Sequence, residues 1–78
     1  MERLIVLKPN QIFNLTRGGL VTCLTGKIRI VQRFSNIVYT FKTISPKSSM
    51  NVTQDITDNY VVNTNSSISS FSLEEKST

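Results

Sequence analysis

The chain has 78 residues, nine Lys and Arg against five Asp and Glu, no histidine, no tryptophan and one cysteine. That inventory excludes an intramolecular disulfide, histidine-based acid–base chemistry and a conventional zinc site. No apolar run reaches the roughly 18–20 residues of a membrane-spanning helix, and the N-terminus lacks the features of a secretory signal, so a cytoplasmic protein is expected. A domain of this size buries a thin core and gains from association.

The apolar segments are short and rich in Ile, Val, Thr, Tyr and Phe, with Gly, Pro, Asn and Ser between them. This pattern belongs to strands and turns, and no helical stripe competes with it. Leu4–Leu7 reads as the first strand, stopped at Lys8-Pro9-Asn10. Gln11–Leu15 alternates as the second, with Arg17-Gly18-Gly19 as a turn. Leu20–Leu24 follows, and Thr25-Gly26 is placed at the tip of a tight hairpin into Lys27–Arg33.

In that fourth strand Ile28 and Ile30 point one way, while Lys27, Arg29, Val31 and Arg33 share the other face. Asn36–Ile44 is a long strand with Ile37, Tyr39 and Phe41 on one side and Val38, Thr40 and Lys42 on the other. A loop at Ser45–Ser49 leads to three weaker strands near Met50–Gln54, Asn59–Asn63 and Ser67–Leu73. The expectation is one all-β domain over residues 1–73, a barrel or sandwich of seven to eight short strands with almost no helix, and a frayed tail over 74–78. Its core is expected to contain Leu4, Val6, Phe13, Leu15, Ile28, Ile30, Ile37, Tyr39, Phe41 and Val61.

The stretch Leu7-Lys8-Pro9-Asn10-Gln11, then Thr16-Arg17-Gly18-Gly19-Leu20, then Thr25-Gly26-Lys27-Ile28-Arg29-Ile30-Val31-Gln32 resembles the opening of small uncharacterised bacterial proteins with a half-size cupin-like barrel. The chain departs from their pattern at Arg29, where a tryptophan is common, and at Ser45-Pro46-Lys47, where they carry a Pro-Gly turn. The resemblance implies a fold and no activity.

Chemistry has little to work with. Asp55 and Asp58 flank a presumptive turn, where Asp side chains ordinarily bond nearby backbone N–H groups. Cys23 sits in an apolar strand with no base to activate it and reads as a core residue. No catalytic residue, cofactor or metal is therefore expected, and the protein is read as non-enzymatic.

Charge carries the functional content. Eight cations precede position 50, and no acid lies between Glu2 and Asp55. Lys27, Arg29 and Arg33, with Lys42 on the next strand, are the expected partner-binding residues. The favoured reading is an interaction protein that binds another protein through this basic sheet face and forms a homodimer. The alternatives are a nucleic-acid-binding barrel, for which the face looks poor in aromatic rings, and a small mobile-element-encoded inhibitor of a host or rival protein.

Overall fold

A computed structural model describes residues 2–15, 18–34, 37–52 and 58–75. They form eight strands: β1 (Glu2–Leu7), β2 (Ile12–Leu15), β3 (Gly19–Thr25), β4 (Ile28–Phe34), β5 (Ile37–Ile44), β6 (Ser49–Val52), β7 (Asp58–Val62) and β8 (Ser69–Glu75). Every strand read from the sequence is present, within one or two residues of its expected ends. β8 runs two residues further than expected, so Glu74 and Glu75 belong to the sheet and not to a tail; residues 76–78 lie outside the described residues.

The strands divide into two four-stranded sheets, in the orders β1-β8-β3-β6 and β2-β7-β4-β5. All pairings are antiparallel. These orders are those of a jelly roll, the double-Greek-key sandwich on which cupins are built. Only β4 and β5 are both sequence neighbours and ladder neighbours. The Thr25-Gly26 turn is accordingly not a hairpin tip: it carries the chain from the first sheet to the second. A bulge between Cys23 and Thr25 bends the end of β3 toward the crossing.

Turn chemistry fixes these corners. Pro9-Asn10 and Pro46-Lys47 occupy the central positions of two turns, closed by Gln11 N–H to Lys8 O at 3.0 Å and Ser48 N–H to Ser45 O at 3.0 Å. In each, proline is followed by a residue at positive φ, 65° for Asn10 and 74° for Lys47, as a type II turn requires. Lys47 thus takes a conformation that glycine adopts most readily. The turn is held in place because Lys47 N–H donates to Cys23 O at 2.9 Å.

Gly26 also has a positive φ, 73°, and an added Cβ would lie 2.1 Å from Ser69 Oγ. Gly19 is needed for close approach: a Cβ there would meet Glu74 O at 2.5 Å. It opens β3 and is no part of a turn. Arg17, also read into that turn, lies outside the described residues.

The core lies between the sheets and gathers Leu7, Leu15, Val21, Cys23, Ile28, Ile30, Ile44, Val52, Val61, Phe71 and Leu73, with Ile5, Phe13 and Met50 packed at its margin. Four residues expected inside are outside: Leu4 (68% exposed), Val6 (55%), Ile37 (66%) and Phe41 (64%). β1 and β5 show their other faces to the core. The side chain of Tyr39, also expected inside, is not among those described. Cys23 is buried as expected; burial pushes its thiol up, partly offset by a backbone hydrogen bond at Ile28.

Across the ladders, Ile30 sits opposite both Lys42 of β5 and Val61 of β7. The register predicts a sharp contrast between two aliphatic residues. Ile30→Ala should cost about 2–5 kcal/mol in urea unfolding, whereas Leu4→Ala should cost under about 0.5 kcal/mol. Similar losses at the two positions would mean that the faces are wrongly assigned.

Three polar residues are buried among the described residues, Asn59, Asn63 and Ser69, and the last two are bonded to each other. Asn63 is fully buried. Its Nδ2 donates to Leu7 O (3.0 Å) and Ser67 O (2.8 Å), and its Oδ1 accepts from Asn65 N–H (2.9 Å) and Ser69 Oγ (3.0 Å). Its backbone N–H donates to Gln11 O and its carbonyl accepts from Asn10 N–H. Ser69 Oγ in turn accepts from Lys27 N–H at 3.2 Å. One side chain therefore joins the end of β1, the β7–β8 loop and the start of β8, and through Ser69 it reaches the sheet-crossing turn.

Candidate interaction surface

The outer face of the β2-β7-β4-β5 sheet has a cross-shaped centre. Val31 of β4 lies directly opposite Phe41 of β5 on one side and Tyr60 of β7 on the other. Two residues along the same strand in either direction, Arg29 and Arg33 share its face, because side chains alternate with period two. Each arginine leans diagonally. The Arg29 guanidinium lies 5.5 Å from the centroid of the Phe41 ring, and that of Arg33 lies 5.8 Å from the Tyr60 ring. Diagonal neighbours across an antiparallel pair are within reach of such long side chains. The stems and rings cover Val31, which is buried although it lies outside the inter-sheet core.

Cation–π stacking accounts for one unusual atom. Arg29 Nε is buried and has no hydrogen-bond partner among the described residues, while the ring of Phe41 supplies the guanidinium with a favourable contact. On β4–β7, Arg33 is the ladder partner of Asp58. Asp58 opens β7, and Asp55, with the turn read between the two, lies outside the described residues.

The four expected partner-binding residues separate. Arg29 and Arg33 share the cross. Lys42 does not: its register partner is Ile30, which points inward, so Lys42 lies on the opposite face, exposed where the edge strand β5 leaves the sandwich open. An inward-facing charge on an edge strand discourages pairing with further chains, and this is a sufficient structural role for Lys42. Lys27 is exposed in the sheet-crossing turn, just before β4 begins.

Sequence reasoning missed Phe41 by placing it in the core. The available signal was Ile44, the apolar residue that ends the strand: its inward orientation sends Phe41 outward and Lys42 inward. The ring is 64% exposed beside Arg29. With Ile12 also exposed on this sheet, the surface mixes cationic, aromatic and aliphatic groups. Arg, Tyr and Phe are enriched at protein interfaces, where they provide most of the binding energy.

Among the described residues no three His, Cys, Asp or Glu side chains come together. An open depression of about 340 Å³ on the other sheet is lined by Glu2, Arg3, Leu4, Leu24 and Ser72.

The two sheets and their jelly-roll order define an all-β, cupin-like sandwich. No protein-family model and no curated protein matches the sequence. Among solved structures the chain is similar to the Drosophila melanogaster CENP-C cupin domain, with a TM-score of 0.78 and 11% identity over 97% of this chain and 56% of that one. It is also similar to Drosophila melanogaster CENP-C in a crystal structure bound to CAL1, with a TM-score of 0.74 and 10% identity over 94% of this chain and 58% of that one. The chain thus spans little more than half the length of either, and the likeness is one of fold.

Proposed function

We propose that this protein is a non-enzymatic, cytoplasmic interaction module that binds an acidic surface of another protein through the Arg29–Val31–Arg33 cross. The carrying observation is the pairing of two guanidinium groups with two aromatic rings around one buried valine on a rigid sheet. Carboxylates of a partner would meet the arginines edge-on, where bidentate hydrogen bonds form, while the Phe41 ring offers apolar area beside them. The use of a similar fold in the CENP-C complex with CAL1 supports protein binding as the role.

Arg29→Glu with Arg33→Glu should reduce capture of the partner at least tenfold in nuclease-treated extract, while Leu4→Asp on the opposite sheet leaves capture intact. Loss of two stacked pairs removes about 1–2 kcal/mol of stability, so far-UV circular dichroism must show the double variant folded at the assay temperature. Phe41→Ala, at an exposed position, checks the same face with little effect on folding. Capture that survives the double reversal overturns the proposal.

A second reading gains support from Phe41. An exposed ring beside an arginine is also a stacking platform for a nucleotide base. The two readings separate by salt: a single-stranded oligonucleotide held at this face should lose affinity steeply as ionic strength rises, because phosphate contacts release counterions. Binding of that kind, abolished by nuclease treatment, would replace the protein-partner reading.

A further inference from the structure

The outer face of the other sheet, β1-β8-β3-β6, has the opposite character. Leu4, Val6, Leu20 and Leu24 stand exposed on it, with Ser70, Ser72 and Thr22 between them by register. Several of its hydroxyls are already satisfied within the monomer. Thr22 Oγ1 and Ser49 Oγ are 2.8 Å apart, and Thr25 Oγ1 and Ser70 Oγ 2.7 Å apart. Covering such a face costs little, because those groups keep their hydrogen bonds when water leaves.

Charges are sorted between the two ends of this sheet. At one end Glu2 and Glu74 are ladder partners, both exposed, and neither forms an ion pair among the described residues; the one recorded pair there is Arg3 with Glu75 at 3.1 Å. Like charges directly opposite one another on a ladder are unfavourable. At the other end, about 20 Å away along the strands, Lys8 follows β1, and Lys27 stands in the sheet-crossing turn, its N–H donating to Ser69 Oγ at the start of β8. Both lysines are exposed.

We propose that this face packs against the same face of a second copy, with strands antiparallel across a twofold axis. The twofold places Glu2 of each copy beside Lys8 of the other, and Glu74 beside Lys27, so both acid pairs are neutralised at once. An isologous contact of this kind closes and cannot propagate. The 24 residues of these four strands, rising about 3.3 Å each in strands about 4.8 Å apart, project roughly 380 Å², within a molecular footprint of 31 × 28 Å. Standard interfaces use about 800 Å² per partner, so the dimer is expected at the weak end, dissociating in the micromolar range. The contact leaves the Arg29 face free and does not depend on the reading proposed for it.

Sedimentation equilibrium from about 5 to 500 µM should show a monomer–dimer equilibrium. Leu4→Asp with Leu24→Asp, at exposed positions, should weaken it at least tenfold. Glu2→Lys with Glu74→Lys should also weaken it at least tenfold, although the monomer only exchanges one like-charged pair for another. Adding Lys8→Glu and Lys27→Glu to that variant should restore the wild-type constant. Arg29→Glu with Arg33→Glu should leave it unchanged. A monomer throughout the range, a dimer indifferent to the Leu4/Leu24 or charge variants, or open-ended growth would each overturn the proposal.

Discussion

Asn63→Ala should destabilise the domain by about 3–5 kcal/mol, a large share of what a chain this short possesses. The side chain occupies little volume, so the loss comes from the groups it leaves behind. Leu7 O and Ser67 O lose a donor, Asn65 N–H and Ser69 Oγ lose an acceptor, and each unsatisfied buried group costs about 1–3 kcal/mol before relaxation. Partial entry of water and shared partners keep the total below the sum.

Asn63→Asp separates hydrogen bonding from volume. It is isosteric, but a carboxylate cannot donate to the two carbonyls, so it should be at least as damaging at pH 7. A buried carboxyl has a raised folded-state pKa and, once protonated, regains one donor. Its stabilising contribution is present in acid and lost as pH rises through that raised value, so this variant should recover part of its stability toward pH 4. Urea midpoints for wild type, Asn63→Ala and Asn63→Asp at pH 4 and 7 check both statements. A loss below about 1 kcal/mol for Asn63→Ala would show that the network is dispensable.

Phe71→Ala should be comparably severe, at about 3–5 kcal/mol, for the opposite reason. Phe71 is completely buried, lies on the central strand β8, and meets Phe13 of the other sheet edge-to-face, with centroids 5.9 Å apart and planes at 75°. Such a pair adds about 0.5–1.5 kcal/mol to the burial of its area. Phe13 is in turn capped by the Arg3 guanidinium, 5.4 Å from its centroid. Removing the Phe71 ring thus opens a cavity between the two sheets. Phe71→Leu, which retains most of the volume, should cost about 1–1.5 kcal/mol and stays measurable if the alanine variant is unfolded in water. Unfolding curves with an unchanged slope and a shifted midpoint are expected. A leucine variant as damaging as the alanine one would locate the effect in ring geometry and not in volume.

How much was readable without coordinates varies by element. Of the Lys27–Arg33 reading, the faces of Ile28, Ile30, Arg29 and Arg33 were legible because the isoleucines alternate with the arginines and charge labels the outward side, whereas Lys27 falls in the turn before β4. Leu4–Leu7 carries no such label, since Leu4, Ile5, Val6 and Leu7 are all apolar. The wrong pair was therefore assigned to the core. In β5 the aromatic Phe41 looked more core-like than Lys42, yet the register opposite Ile30 puts the lysine on the inward side. Hydropathy gives a strand its period; near an open edge it does not give the sign.

The sequence by itself determined the local events: eight β segments, the Pro9 and Pro46 corners, the buried cysteine and the basic character of β4. Those depend on near neighbours along the chain, on side-chain branching, fixed proline φ and alternation. Tertiary structure alone decided which strands share a sheet. It turned Thr25-Gly26 from a hairpin into a crossing, placed Phe41 beside Arg29, separated Lys42 from both arginines, and enclosed Asn63 among partners from positions 7 to 69. Such contacts join residues distant in sequence, and they form only when two whole faces find a common core.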